Sequence, residues 1–300
     1  MLLYPNQFFG LPGCAPEVAG CVILPVPLEK TVSYGKGTWR GPQAILDAST
    51  QIELLDEETL IRFEDLDDIY TAPPVSLDPD ASMGEIQKDI YAAAQRFRGR
   101  FLLGLGGEHS VSYGLITGLT DRLQDLTVVH IDAHADLIDE LGGSFWSHGT
   151  VMRRLWDHGV RLIQIGIRSI SPKEYDFIQT KERIETFFGH QLCRRLDELL
   201  GLLDGLTGDV YLSIDVDGLD PSIIPSTGTP MPGGLSWYET MDVLGATFRA
   251  PKVRVIGADV VEFVASPHPP GCDIVVAKLI SRLIALWARR RSDNRRGGEY

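Results

Sequence analysis

Short apolar runs alternate along the chain with longer segments in which apolar residues recur at helical spacing. Most of the short runs are apolar throughout, which is typical of parallel strands covered by helices on both faces. The pattern predicts strands at residues 20–25, 100–105, 127–132, 161–166, 209–216 and 253–260. It predicts helices at residues 83–98, 111–123, 191–204, 237–248 and 273–289.

This alternation from end to end favours one α/β domain, a doubly wound and mainly parallel sheet with helices on both faces. We find no internal repeat and no linker long enough to divide the chain. Residues 225–234 are rich in loop-forming residues, but they follow a strand and precede a helix, as an active-site loop would. The domain is predicted to span residues 1–290, and the basic segment 291–300 is predicted to be a disordered tail.

Charge and composition narrow the classes of function. The chain has 41 acidic and 28 basic residues and a formal net charge of −13. This balance argues against a nucleic-acid partner and suits a small cationic ligand. No segment has the roughly 20 apolar residues that span a bilayer, and residues 1–10 do not resemble a signal peptide. The four cysteines are dispersed, as reduced thiols are, so a cytoplasmic location is expected.

Acidic and histidine residues gather directly after three of the predicted strands. The sequence GGEHS occupies residues 106–110, DAHAD occupies 132–136, and DVDGLDP occupies 215–221. Ligands of open α/β sheets bind at the carboxyl ends of the strands, where these clusters lie. Each cluster taken alone could be a turn, a helix cap or a solvated loop. Their joint occurrence at three strand ends favours a shared site.

The spacing within these clusters suits metal ions. Alternate residues of an extended chain point the same way, so Asp132, His134 and Asp136 can converge on one point. Asp215 and Asp217 can do the same from another strand. Four crowded carboxylates repel one another unless cations compensate them, and two divalent ions would balance their charge. Carboxylate-rich ligation with imidazoles suits Mn²⁺, and a water shared by two ions would have a lowered pKa.

The motifs GGEHS, DAHAD and SIDVDGLDP resemble the three signatures of the ureohydrolase family, which contains arginases, agmatinases and related guanidino-acid hydrolases. The segment VPLEKTVSYGKGTWRGPQAIL resembles the family's opening strand, loop and helix, and GADVVEF resembles its last motif. These motifs occur in the family's order over nearly the whole chain. The resemblance implies an arginase/deacetylase-like fold and a homo-oligomer, either a trimer or a hexamer.

The resemblance also implies two manganese ions per subunit, with nickel as an alternative metal. Two of the ligands, Asp132 and Asp215, would be shared by both ions. His109 and Asp136 would complete one site, and the remaining two side chains would complete the other. The full set of implied ligands is His109, Asp132, His134, Asp136, Asp215 and Asp217.

Three catalytic roles follow from the same resemblance. A hydroxide held between the ions would attack the guanidinium carbon, and Asp136 would accept a hydrogen bond from it. Glu262 would pair with the planar guanidinium, which a carboxylate can contact in bidentate geometry. His148 would carry a proton to the leaving amine. His130 is expected to pack beneath the metal motif, and Asp220 is expected to fix the backbone.

The loop at residues 137–147 bears on the substrate. Arginases carry a Ser/Thr/Asn-rich loop there, whereas this chain has the acidic residues Asp139 and Glu140. An α-carboxylate would find few donors in such a loop, so the predicted reaction is hydrolysis of agmatine to putrescine and urea. Guanidinobutyrate, guanidinopropionate, guanidine and arginine remain alternative substrates because few loop residues separate these specificities.

Two other classes of function also remain open. A deacetylase-like amide hydrolase could share the architecture, but a neutral amide does not need the carboxylate of Glu262. A catalytically inactive regulatory homologue would not need a complete set of metal ligands, which argues against that class.

Overall fold

Eight parallel strands form one sheet in the computed structural model, which describes residues 6–265 and 271–297. The strands are β1 (Cys21–Val26), β2 (Ile69–Thr71), β3 (Phe101–Gly106), β4 (Leu126–Ile131), β5 (Arg161–Ile167), β6 (Ile184–Phe188), β7 (Thr207–Asp215) and β8 (Lys252–Val261). Their order across the sheet is β2-β1-β3-β8-β7-β4-β5-β6. The predicted α/β class and the parallel sheet are confirmed.

Helices cover both faces of this sheet. They are α1 (Gly41–Ser49), α2 (Met83–Gln95), α3 (Val111–Leu119), α4 (Val151–Asp157), α5 (Pro172–Thr180), α6 (Gly189–Asp204), α7 (Trp237–Arg249) and α8 (Cys272–Gly297). Alternate residues of β1 enter different cores: Ile23 belongs to the cluster that includes residues of α1, α6, α7 and α8, whereas Val22 belongs to the cluster that includes residues of α2, α3, α4 and α5. The strands are therefore apolar on both sides because each face is buried. None of the helices among the described residues is long and apolar enough to cross a membrane.

The sequence pattern predicted the six inner strands of the sheet but not its two edge strands. All six predicted strands are present as β1, β3, β4, β5, β7 and β8. The two that were missed, β2 and β6, are the outermost strands of the sheet. An edge strand is partly exposed to water, and Ile184–Phe188 includes half-buried polar residues, so it lacks the continuous apolar run used for the prediction.

The helix α8 continues through residues 291–297 of the segment that was predicted to be a disordered tail, and ends at Gly297. Side chains near its end are bound to the body of the protein. Arg290 donates to the carbonyl oxygen of Pro251 at 2.9 Å, and Arg291 forms an ion pair with Asp68. These contacts attach the end of α8 to the rest of the protein, although the polar composition of this segment predicts a tail without such contacts. The last three residues lie outside the described part of the chain.

Four neighbouring strands, β3, β8, β7 and β4, occupy the middle of the sheet. Because all are parallel, their carboxyl ends meet at one edge. The three clusters GGEHS, DAHAD and DVDGLDP follow β3, β4 and β7 at that edge, and Glu262 follows β8. The sheet order thus brings together segments that are far apart in the sequence.

Candidate metal centre

Six side chains with metal-binding atoms meet at this edge of the sheet. They are the six predicted ligands: His109, Asp132, His134, Asp136, Asp215 and Asp217. His109 Nδ1 lies 3.1 Å from both Asp132 Oδ2 and Asp136 Oδ2, and 3.6 Å from Asp215 Oδ2. His134 Nδ1 lies 3.1 Å from Asp217 Oδ2 and 3.5 Å from Asp132 Oδ1. Two groups of ligand atoms therefore form, and Asp132 lies between them.

Backbone N–H groups orient three of these carboxylates. Asp132 Oδ1 accepts the N–H of His134 at 2.6 Å, and Asp215 Oδ1 accepts the N–H of Asp217 at 2.8 Å. Asp217 Oδ1 accepts the N–H of Ala133 at 3.0 Å, which ties the end of β7 to the end of β4. In each carboxylate the second oxygen, Oδ2, is left facing a histidine Nδ1 in the centre. The inward oxygens are thus fixed by the backbone itself.

Asp136 reaches the centre through a tight turn after β4. Its φ of 53° lies in the left-handed region, which aspartate adopts more readily than most residues. The turn is held on both sides, since the Asp136 carbonyl accepts the N–H of Arg153 at 3.1 Å and the next N–H, of Leu137, donates to Glu174 at 3.1 Å. The turn returns the carboxylate to within reach of His109.

A buried chain of hydrogen bonds fixes which nitrogen of His109 faces the centre. The Ser213 hydroxyl donates to Asp259 Oδ1 at 2.8 Å, and Tyr211 donates to Asp259 Oδ2 at 2.9 Å. With its proton committed, Ser213 Oγ accepts the Nε2–H of His109, at 2.9 Å. The Nδ1 of a neutral His109 therefore presents a lone pair to the carboxylates, the arrangement typical of metal-bound histidine.

That Nδ1 atom is buried without a hydrogen-bond partner. A lone pair facing three carboxylates is repulsive unless a cation lies between them. Burial alone would lower the pKa of His109, but Asp132, Asp136 and Asp215 outweigh it and raise that pKa well above its usual value. A proton on His109 Nδ1 can offset the charge of the three carboxylates in place of a metal cation. The contacts, however, give that Nδ1 atom no hydrogen-bond partner. The nitrogen and oxygen donors present here fit a divalent metal ion.

The charges around the second histidine follow the same pattern. Burial lowers the pKa of His134, but Asp132 and Asp217 raise it to about 12. Burial, and then the charges of Asp217 and Asp132, raise the pKa of Asp215 well above its usual value. This edge of the sheet therefore holds more negative charge than a buried region tolerates, and two divalent cations would offset it.

His130 lies beneath the centre, as predicted. It is fully buried, and its Nε2 lies 2.8 Å from Asp132 Oδ2. The Gln164 amide nitrogen donates to the carbonyl oxygen of Ala135 at 2.7 Å and lies 3.1 Å from His130 Nδ1. Because that amide can only donate, His130 Nδ1 accepts and its Nε2–H is directed at Asp132. His130 thus orients the carboxylate that lies between the two groups.

Glu262 joins the centre from β8. It lines the same cavity, of about 420 Å³, as five of the six predicted ligands and His148. Its Oε1 accepts the backbone N–H of His109 at 2.6 Å. Burial raises the pKa of Glu262 to about 8, against the opposing effect of His109. A buried carboxylate beside a metal-binding group is suited to a cationic ligand.

The loop at residues 137–147 lines this cavity with Ile138 and Leu141, but its two acidic residues do not, so they give the substrate prediction no direct support. Asp139 forms ion pairs with Arg154 and Arg153 instead, and Glu140 is exposed to solvent. Neither belongs to the cavity wall. Asp220 behaves as predicted, because its carboxylate accepts the N–H groups of residues in two loops, Ser222 at 3.0 Å and Gly233 at 2.8 Å.

Sequence reasoning missed the polar residues that hold the ligands in place, notably Ser213 and Asp259. Both are completely buried and have apolar neighbours in their strands. A polar residue in such a run is a signal in itself, since a buried hydroxyl or carboxylate requires a partner. Pairing them needs the sheet order, which places β7 beside β8 and Ser213 opposite Asp259.

Comparison with known proteins agrees with this geometry. Residues 19–285 match the sequence profile of the arginase family. The chain is 35% identical over 279 residues to the N(1)-aminopropylagmatine ureohydrolase of Synechocystis sp., covering 90% of this chain and 89% of that protein. It is 36% identical over 296 residues to the enzyme of the same name from Thermus thermophilus, covering 95% and 98%. An agmatinase of Pyrococcus horikoshii is 33% identical over 297 residues, covering 96% and 100%.

Solved structures show the same architecture. The proclavaminate amidino hydrolase of Streptomyces clavuligerus superposes with a TM-score of 0.85 at 25% identity, covering 96% of this chain and 99% of that one. A putative agmatinase from Clostridium difficile gives a TM-score of 0.82 at 25% identity, covering 91% and 98%.

Proposed function

The chain belongs to the arginase family and is a ureohydrolase, and we propose that it hydrolyses a guanidino-amine of the agmatine type to urea and a polyamine. Agmatine, which would give putrescine, is the first candidate substrate. N(1)-aminopropylagmatine is the second, because two relatives at 35% and 36% identity carry that name.

The composition of the cavity wall supports a cationic substrate. None of the described residues that line the cavity is Lys or Arg. Carboxylates gather at its inner end, and Glu174 adds another to the wall. An α-carboxylate such as that of arginine would find no side-chain cation to pair with, whereas a second ammonium group would meet no repelling charge. This absence of lysine and arginine from the described wall is the observation that carries the proposal.

Apolar residues also line the wall. They include Val32, Ile138, Leu141 and Ile170, with the exposed ring of Tyr34 among them. A chain of methylene groups, as in agmatine, would bury its apolar surface there. The wall thus combines a polar inner end for the guanidinium with an apolar stretch for the linker.

We propose that the six predicted ligands hold two divalent ions, with Mn²⁺ first and Ni²⁺ as the alternative. Bound ions supply a nucleophilic water of lowered pKa and offset the charge of the carboxylates. Glu262 then binds and orients the guanidinium, and its contact with the N–H of His109 fixes its position. Asp136 accepts the proton of the attacking water, and His148 donates a proton to the leaving amine.

Two further expectations accompany this function. The acidic net charge and the dispersed cysteines support a cytoplasmic enzyme without a nucleic-acid partner. Trimeric or hexameric assembly is supported by the family resemblance.

The proposal is tested by urea release from purified protein that has been stripped of metal and reloaded with Mn²⁺, Ni²⁺ or Zn²⁺. The panel contains agmatine, N(1)-aminopropylagmatine, arginine, guanidinobutyrate and guanidine. We expect the two guanidino-amines to exceed arginine and guanidinobutyrate in kcat/KM. Equal or faster turnover of arginine would overturn the substrate proposal. Metal-loaded protein that released no urea from any of the five would overturn the enzymatic function and favour a regulatory role.

A further inference from the structure

The side chain of His148 is held between two hydroxyl groups of the loop that follows β1. Thr31 Oγ1 lies 3.2 Å from His148 Nδ1 and accepts the backbone N–H of His148 at 3.1 Å. Ser33 Oγ lies 2.9 Å from the other ring nitrogen, Nε2. Thr31 and His148 are 117 residues apart in the sequence, so this contact depends on how the loop is anchored.

Glu108 is that anchor. Its carboxylate is completely buried, and four donors surround it. Oε2 accepts the backbone N–H groups of Lys30 at 2.5 Å and Thr31 at 2.6 Å. Oε1 accepts the hydroxyls of Thr31 at 2.7 Å and Ser110 at 2.6 Å. Because every one of these partners donates, the carboxylate acts only as an acceptor.

The direction of these bonds determines where the proton of His148 resides. A threonine hydroxyl has one proton, and that of Thr31 is committed to Glu108. Thr31 Oγ1 can therefore only accept from the imidazole, so His148 Nδ1 must carry the hydrogen. In the neutral ring the lone pair is then on Nε2, where the hydroxyl of Ser33 donates to it. The ring is thus fixed in both its orientation and its tautomer.

We propose that Glu108 and Thr31 are positioning residues that hold His148 as the Nδ1–H tautomer, so that Nε2 is the atom that transfers the proton. This inference deepens the proposed function and rests on it for the catalytic role of Nε2. When the ring is protonated, Nε2 gives its proton to the nitrogen of the leaving amine and retains the electron pair of the broken N–H bond. Ser33, which lines the cavity beside His148, occupies the Nε2 side of the ring.

The tautomer can be measured directly by NMR of protein labelled with ¹⁵N in its imidazole rings. The chain has seven histidines, and the signals of His148 are those that disappear in His148→Ala. We expect the neutral ring of the unsubstituted protein to show a protonated Nδ1 and an unprotonated Nε2. A protonated Nε2 with an unprotonated Nδ1 would overturn the proposal, whether or not any variant folds.

Thr31→Val removes the hydroxyl and nearly preserves the shape of the side chain. We expect this variant to show a mixture of tautomers at His148, whereas Thr31→Ser keeps the Nδ1–H form. Thr38→Val is the matched control, because the Thr38 hydroxyl also donates to a carboxylate of the same loop, Glu29 at 3.0 Å. If Thr31→Val left the tautomer unchanged, or if Thr38→Val altered it equally, the proposed role of Thr31 would be wrong.

Kinetics give a second readout. General acid catalysis contributes about 10²- to 10⁴-fold, and we expect Thr31→Val to lose roughly tenfold of this in kcat with little change in KM. In a His148→Ala background the same substitution should have no further effect, because Thr31 acts through His148. An equal loss in both backgrounds would contradict the inference. Absence of urea release from every guanidine would overturn the proposed function, and the tautomer measurement would still decide the positioning roles.

Discussion

The carboxylate of Glu262 accepts the backbone N–H of His109 at 2.6 Å, which links the proposed guanidinium-binding group to a proposed metal ligand. The link is reciprocal, since the N–H of Glu262 donates to the carbonyl oxygen of Gly107 at 2.8 Å. β3 and β8 are adjacent, so the two residues are held at a distance set by the sheet. A substrate bound to Glu262 is therefore positioned relative to the metal centre by backbone contacts.

Glu262→Gln tests the charge of this group while keeping an oxygen that can accept from His109. A hydrogen bond to a charged group contributes about 1.5–3 kcal/mol, so we expect kcat/KM to fall roughly 10- to 150-fold. The metal content should stay at two ions per chain. Glu140→Gln, at a residue that does not line the cavity, is the control and should behave like the unsubstituted protein. Normal kcat/KM in Glu262→Gln would contradict the assigned role.

Asp132→Asn removes a negative charge from the position between the two groups of ligand atoms. We expect the variant to lose bound metal and urea release together. A neutral amide does not offset the charge of two cations, and it is a poorer shared ligand for them than a carboxylate. Elemental analysis after gel filtration measures the metal, and the control is Asp139→Asn, whose carboxylate pairs with Arg154 away from the cavity. Two retained ions with normal turnover would show that the ligand assignment is wrong.

The metal-free protein should become less stable as the pH rises from 6.5 to 8. The pKa of Glu262 is raised from 4.5 to about 8 by burial, so the folded state retains a proton that the unfolded state has lost. The pKa of His134 is raised from 6.5 to about 12, so its stabilisation is complete below pH 6.5 and declines above it. For each proton that the folded state binds in excess of the unfolded state, the free energy of unfolding falls by up to about 1.4 kcal/mol as the pH rises by one unit.

Urea denaturation of protein treated with a chelator at several pH values measures this slope. Metal ions displace the same protons, so the stabilisation gained on adding Mn²⁺ should increase with pH. Metal-free protein that was equally stable at pH 6.5 and pH 8 would contradict the proton balance of the centre.

His148→Ala should keep both metal ions and lose turnover. The imidazole contacts Thr31 and Ser33, and neither is a proposed ligand. We expect kcat to fall about 10²-fold or more, as is usual when a general acid is removed. Added imidazole should restore part of the activity, because a diffusible proton donor can enter the space left by the ring. Loss of metal from this variant would instead identify His148 as a ligand or a structural support.

Gly107→Ala should disrupt the end of β3. A Cβ atom at this position would lie 1.9 Å from the carbonyl oxygen of Leu28, which is backbone and cannot move aside cheaply. We expect the free energy of unfolding to fall by about 1–3 kcal/mol or more. Metal binding should be lost as well. Gly201→Ala is the matched control: it lies in α6 with no atom within 4 Å, and should stabilise the protein by about 0.5–1 kcal/mol. Equal stability of the two variants would contradict the packing argument.

Those parts of the fold and centre that depend on local pattern could be predicted from the sequence. Central strands are buried on both faces, so an apolar run suffices to find them, and the alternation in DAHAD suffices to place Asp132 and His134. Asp136 reaches the centre through a left-handed turn, which alternation does not predict. The anchoring contacts could not be predicted in this way. Glu108 and Thr31 are 77 residues apart, and Ser213 and Asp259 are 46 residues apart. Such pairs follow from the order of strands, which periodicity does not contain.

The direction in which a loop side chain points could not be predicted from the sequence either. Asp139 lies in the loop at residues 137–147, and its charge was assigned to the substrate site because of that position. The structure turns its carboxylate to Arg154 on α4. A charge in a loop near a site acts on the ligand only if its side chain faces the cavity, and the sequence of a loop does not determine that direction.

The position of β8 also determines when the site can exist during synthesis of the protein. β8 pairs with β3 on one side and β7 on the other, and the first three strands contact the remaining four through it. Among the described residues it is the last strand to leave the ribosome, so a nascent chain that ends before residue 252 holds both halves of the sheet without the strand that joins them. All six proposed ligands have by then been made, but His109 lacks its contact with Glu262, and Ser213, which orients the His109 ring, lacks its contact with Asp259. The arrangement of side chains described here therefore requires that β8 has been translated, which disfavours earlier binding of metal by a partly made chain.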